Sequence, residues 1–185
     1  MLAFYCSISS ICRLLIYKYE SDEISGTDGR PAETLMDATD KIILRILQSD
    51  AKTSIEKIAA AVGLSHTPVW RRIDRLEKAK VILGSTCKLD RLKLGLELTA
   101  FASIKLSRHD EKALVEFERA VSDIPEILDC YSMTGSFDYL LKIVTYSVSS
   151  YEQLLKKKLA NLPHFQDVHS NLALREVKQT DGIPI

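Results

Sequence analysis

Ser54-Ile-Glu-Lys-Ile-Ala-Ala-Ala-Val-Gly-Leu-Ser-His-Thr-Pro-Val-Trp-Arg-Arg-Ile-Asp-Arg-Leu-Glu77 reads as two short helices joined by a turn at Gly63-Leu64. In the first, Ile55, Ile58, Ala59 and Val62 recur at helical spacing and form one apolar stripe. Ser54 is placed to cap it, and Gly63 stands where a left-handed terminal residue is needed. Ser65 opens the second helix, with Pro68 in its first turn, where a missing N–H costs little. Val69, Ile73 and Leu76 form its inner stripe, leaving Trp70, Arg71, Asp74, Arg75 and Lys78 outward. This is the layout of a helix-turn-helix, whose second helix is shaped to enter the major groove of DNA.

A plain helical hairpin with a solvated charged face is the alternative. Three details oppose it. Ala59 is small where two helices cross, and Gly63 serves a tight turn. From Ser65 to Lys80 the charges are five basic (Arg71, Arg72, Arg75, Lys78, Lys80) against two acidic (Asp74, Glu77), where a solvated face would interleave the signs. A third helix precedes the pair, capped by Asp37, with Ile42, Ile43, Ile46 and Leu47 on its buried face.

The chain of 185 residues has room for two small domains, and its 46% hydrophobic content supports real cores. Formal net charge is zero but uneven: residues 36–90 carry ten Lys/Arg against seven Asp/Glu, residues 91–185 twelve against thirteen, and residues 1–35 three against five. A modest local excess on a neutral chain suits a DNA binder that must not adhere everywhere. Cys6, Cys12, Cys87 and Cys130 show no CxxC spacing or disulfide framework, so reduced, buried thiols in a cytoplasmic protein are expected. His66, His109, His164 and His169 are scattered, and the interval between the last two is a weak metal spacing. With no nucleophile–base pair or phosphate loop either, no enzymatic chemistry, cofactor or metal is expected. Met1–Tyr17 is fairly apolar, but Arg13 interrupts it and it is too short to span a bilayer. Ser25–Glu33 reads as a flexible link, and residues 1–35 are expected to be a disordered leader or the product of a mis-assigned start. No membrane partner is expected.

After a domain over 36–84, residues 85–97 read as a linker strand and hinge. From Leu98 the pattern changes to period two, with Leu98, Ala100, Ala102, Ile104 and Leu106 on one side. Glu111–Ser122 reads as a helix with Leu114, Phe117 and Val121 inward. Strand-like runs at 127–134 and 139–145 flank the tight Gly135-Ser136-Phe137-Asp138. A helix over 150–162 and a strand over 167–178 complete a β-α-β-β-α-β order, the ferredoxin-like split βαβ, over 98–185. Two helices cover one sheet face only, and 139–145 is apolar on both sides, so sheet-to-sheet self-association into a dimer or larger is expected. A dimer also suits the reading of a pseudo-palindrome by two recognition helices.

From Met36 onward the chain resembles the Lrp/AsnC family of transcriptional regulators. The matching pieces are Met36-Asp-Ala-Thr-Asp-Lys-Ile-Ile-Leu44, Val62-Gly-Leu-Ser-His-Thr-Pro-Val-Trp-Arg-Arg-Ile-Asp-Arg-Leu-Glu77, Thr134-Gly-Ser-Phe-Asp-Tyr-Leu-Leu141 and Glu176-Val-Lys-Gln179. The resemblance implies an α+β chain: an N-terminal tri-helical, winged-type helix-turn-helix, then a ferredoxin-like domain that senses an amino acid and builds homodimers, tetramers or octamers. It also gives the Gly135–Tyr139 turn a second meaning. As a plain turn, Gly135 allows positive φ and Asp138 bonds local backbone; in the family the turn lies between dimers and holds the effector. Thr134, Gly135, Ser136 and Asp138 are then effector-binding candidates, and Ser170 matches a hydroxyl residue lining the same site. Where family members commonly have glycine at the end of the recognition helix, this chain has Lys80.

The leading reading is thus an effector-modulated regulator binding double-stranded DNA. Ser65, His66 and Thr67 lie at the N-terminal end of the recognition helix, where amides and hydroxyls meet phosphates. Arg71 and Arg75 are candidates for base-edge or phosphate contacts, Arg72 for an internal ion pair, and Trp70 for the sugar-phosphate wall or the first helix. The rivals are a siroheme-decarboxylase-like enzyme on the same scaffold, and a sensing or assembly module without DNA binding.

Overall fold

The computed structural model describes residues 36–180 and 182–185. The expectations for residues 1–35, Cys6 and Cys12 lie outside them. The chain forms two compact units, parting between Cys87 and Lys88, with the terminal stretch from Thr180 joining the first. The sequence reading of a second domain over 98–185 is corrected there.

In the first unit, α1 (Ala38–Ser49), α2 (Ile55–Val62) and α3 (His66–Lys78) enclose a small core of Ile43, Ile58, Ala59 and Val69. Asp37 closes a capping box on α1: its carboxylate accepts from Asp40 N at 2.8 Å, and Asp40 Oδ2 accepts from Asp37 N at 3.1 Å. Ile42, expected inside, is exposed; Asp40, one turn ahead of Ile43, takes the buried place instead. Ser54 caps α2. Gly63 ends it at φ 67° with open space around its α-carbon, so conformation rather than crowding requires glycine there.

Lys80 resolves the missing glycine after α3. It adopts φ 56° itself, Lys80 N donates to Glu77 O at 3.0 Å, and Val81 N donates to Leu76 O at 3.0 Å. Those two bonds are the Schellman pattern, closed by a lysine in the left-handed position. Beyond it the expected linker strand is absent: residues 85–97 hold turns at Arg91–Gly95 and no strand, and no strand accompanies the three helices among the described residues of this unit.

The second unit contains β1 (Leu98–Leu106), α4 (Glu111–Ser122), β2 (Ile127–Ser132), β3 (Tyr139–Thr145), α5 (Val148–Lys157), a 3₁₀ turn (Leu159–Asn161) and β4 (Phe165–Leu172). The sheet order is β2-β3-β1-β4, with every neighbour antiparallel, the ferredoxin-like arrangement. Alternation along β1 sends Ala100, Ala102, Ile104 and Leu106 into the core beneath Phe117, Val121, Tyr151 and Leu154. The opposite face carries Phe101, Ser103, Leu140 and Tyr131, of which Phe101 and Tyr131 are exposed. β4 ends at Leu172 rather than 178, because Ala173 N makes its last bond to Thr99 O, next to the residue where β1 begins. Cys87 and Cys130 are both exposed rather than buried. No helix among the described residues is long and apolar enough to cross a membrane.

A β-bearing residue in the left-handed region costs about 1–2 kcal/mol, of which glycine's extra unfolded-state freedom returns part. Lys80→Gly is therefore expected to stabilise the first unit by about 1 kcal/mol, read as a higher melting midpoint for the transition reporting Trp70. A lowered midpoint would contradict the strained cap.

Candidate nucleic-acid and effector sites

Helical spacing sorts the side chains of α3. Opposite the buried Val69 and Leu76 stand Thr67, Arg71 and Lys78, all exposed, with Lys78 paired to Asp74 at 2.7 Å. Arg72 turns inward, as its position suggested. Its Nη1 lies 2.8 Å from Asp40 Oδ1 and 2.7 Å from Asp37 Oδ2. Arg75 is not wholly outward: its Nη2 bonds Asp40 Oδ2 at 2.5 Å, leaving the side chain about half exposed at 51%.

Asp40 is the residue that sequence reasoning missed. Its side chain is 1% exposed, against 27% for Arg72, and it receives two guanidinium groups and a backbone N–H. The signal was present in Asp37-Ala-Thr-Asp40, a capping box with its second acid one turn before a core isoleucine. Arg72 titrates above its usual range because both aspartates hydrogen-bond it. The Asp40 amide and then Arg72 hold the Asp37 carboxyl below the ordinary carboxylate range. Its contribution to stability is therefore complete above the ordinary pKa and lost as pH falls through the lowered one.

At the N-terminal end of α3, Ser65 occupies the cap position in extended conformation but makes no side-chain capping bond. His66 Nε2 sits 3.7 Å from Glu56 on α2, and Trp70 is half-exposed on the flank beside α1 rather than on the outermost face.

In the second unit, Thr134, Gly135 and Ser136 are exposed, and Gly135 has φ 124°. Asp138 fastens this turn to β1: Asp138 N donates to Ile104 O at 2.9 Å, and Oδ2 accepts from Leu106 N at 2.7 Å. Oδ1 meets His109 Nε2 at 3.0 Å. Much of this carboxylate is thus engaged within the fold. Ser170 lies on the helix-covered face, accepting from Tyr151 Oη at 2.5 Å. Its neighbour His169 faces the other way and stacks on Phe137 of the turn, ring centroids 6.1 Å apart. The residue brought to the turn from β4 is therefore His169, which its histidine spacing alone had flagged only as a weak metal ligand. His164 instead bonds Glu116 at 2.8 Å, and no cluster suited to a metal occurs among the described residues.

Comparison with known proteins bears on both sites. Residues 36–77 match the AsnC-type helix-turn-helix domain, and residues 99–183 the Lrp/AsnC ligand binding domain. The DNA-binding transcriptional activator DecR of Escherichia coli (strain K12) is 34% identical over 151 residues, covering 82% of this chain and 99% of DecR. The crystal structure of an AsnC family transcriptional regulator from Agrobacterium tumefaciens superposes with TM-score 0.77 at 38% identity, over 80% of this chain and 97% of that one. The transcriptional regulator NMB0573 of Neisseria meningitidis, solved as its L-Met complex, also gives TM-score 0.77, at 30% identity over 80% and 96% of the two chains.

Removing the Asp138 carboxylate strands the amide of fully buried Leu106. Asp138→Ala is expected to destabilise the second unit by about 1–3 kcal/mol, the cost of an unsatisfied buried donor, measured by urea denaturation. A change within error would show that water or another acceptor replaces it.

Proposed function

This chain belongs to the Lrp/AsnC family of transcriptional regulators, and we propose that it reads DNA through the Thr67–Arg71–Lys78 face of α3 under the control of a small amino acid held at the Thr134–Asp138 turn. It is a DNA-binding regulator of transcription and not an enzyme. The observation that carries the DNA reading is the bracing of α3 from behind. With Arg72 bound to Asp37 and Asp40, Arg71 is left as the exposed arginine at the centre of the outer face. Arg71 contacts a base edge, while Arg75, half committed to Asp40, reaches a phosphate. Ser65, His66 and Thr67 bring hydroxyls and first-turn amides to a phosphate at the positive end of the helix. Trp70 lies against the sugar-phosphate wall from the flank.

The effector reading is supported by the L-methionine bound to the Neisseria relative and by the turn's composition. A zwitterion needs N–H donors for its carboxylate, which Gly135 and Ser136 offer with the Thr134 hydroxyl. Its ammonium needs acceptors; the turn's carbonyls supply these, with Asp138 contributing what Leu106 and His109 leave open. Ser170 faces the helices and bonds Tyr151, so the β4 residue that flanks the effector is His169, stacked on Phe137 of the turn.

Two copies associate through the sheet face opposite the helices, where Phe101 and Tyr131 would otherwise remain in water. The homodimer sets the spacing of two recognition helices on a pseudo-palindromic site in the cytoplasm, and turn-to-turn contacts extend it to tetramers or octamers.

One titration tests these assignments together. Arg71→Ala is expected to weaken binding to the chain's own operator by about 1–3 kcal/mol and to relax preference at one base pair. At least one of the twenty amino acids is expected to shift the wild-type binding curve. Unchanged affinity and preference would sink the Arg71 role, and no response to any amino acid would sink the sensor reading.

A further inference from the structure

The first unit holds a feature that effector sensing does not use and that DNA reading shares only through Trp70. A cavity of about 700 Å³ runs along it, walled by Leu44 and Leu47 of α1, Trp70 and Ile73 of α3, and Ile183 and Ile185 of the terminal stretch. The terminal segment is held there by its backbone. Ile183 N donates to Gln48 Oε1 at 3.1 Å, while Gln48 Nε2 donates to Ile183 O at 2.9 Å. One turn away, Arg45 Nε donates to Ile185 O at 2.6 Å.

The chemistry of the segment fits this seat. A residue before proline is pushed toward extended backbone, so Pro184 predisposes Ile183 to be extended. In that conformation its N–H and C=O point to the same side, where one planar amide can meet both. Gly182 passes so close that an added Cβ would lie 2.9 Å from Gln48 Nε2, the same atom that holds Ile183. Little apolar area secures the contact, since Ile183 remains 65% exposed. The seat is therefore built for recognition of a backbone and for release. It also sits on α1, the helix whose Asp40 positions Arg72 and Arg75.

We propose that the α1–α3 groove is a docking site for the chain's own Gly182–Ile185 segment, and that the seated segment is a releasable latch that tightens DNA binding by steadying α1 against α3. The effect on DNA rests on the reading of α3 given above; the seat does not.

Trp70, the single tryptophan, lines the groove and reports on it. The full chain, its Gln48→Ala variant and a chain ending at Gln179 are compared by acrylamide quenching of Trp70 and by DNA affinity, after circular dichroism verifies equal helix content. Both changes are expected to raise quenching and weaken DNA binding by about threefold or more, the scale of one or two net hydrogen bonds. Gln48→Ala is expected to add nothing in the shortened chain, and a synthetic peptide of residues 180–185 to restore low quenching there unless Gln48 is replaced. Quenching unaltered by either change, or an equal effect of Gln48→Ala with and without the segment, overturns the docking site. Altered quenching at constant DNA affinity overturns the latch. Failure of every form to bind DNA, the full chain included, would sink the reading of α3 while Trp70 still judges the seat.

Discussion

The carboxylate of Asp40 organises the first unit. It is buried, and a lone buried carboxylate is costly, so it must be surrounded by donors. It gathers them from two helices: the Asp37 amide of its own capping box, Arg72 in the middle of α3 and Arg75 one turn on. Three consequences follow from one group. The start of α1 is fixed, α3 is tied to it along its length, and two of the three arginines of α3 are turned away from the outermost face. Arg71 is left on the outer face because its neighbours are held. A hydrophobic core of four buried side chains could not by itself fix the rotation of α3 so closely, since apolar contacts are not directional.

Asp138 does comparable work in the second unit. It secures the turn between β2 and β3 to the end of β1 through a buried amide, and to His109 in the loop before α4. The turn that carries the effector candidates is therefore rigidly mounted while Thr134, Gly135 and Ser136 stay exposed. The same residue type serves both units: a carboxylate that joins two segments far apart in sequence, next to exposed candidate contact residues.

The periodic elements were legible in the sequence. β1, α4 and β3 follow from alternating or helical apolar spacing, and the left-handed Gly63 from its place after the last stripe residue. The exceptions share a cause, which is dependence on something distant in the chain. β4 stops at Leu172 because its neighbour β1 begins at Leu98, and an alternating pattern carries no record of partner length. Asp40 was passed over because a carboxylate on a short helix reads as solvated until the arginines 32 and 35 residues away are brought to it. Arg75 looked outward for the same reason. Ser170 and His169 are adjacent, yet alternation sends one to Tyr151 and the other to Phe137, a choice that depended on the register of β4. Lys80 is different: the lysine in the place of the family's glycine leaves the helix end open in the sequence, and the structure shows the lysine itself in the left-handed conformation.

A double-mutant cycle between Asp40 and Arg72 tests most directly whether this ion pair places α3. Urea denaturation followed at Trp70, for wild type, Asp40→Ala, Arg72→Ala and the double variant, gives the coupling free energy. A directly bonded, largely buried pair predicts coupling of about 1–3 kcal/mol. Additive losses, with coupling near zero, would contradict the account.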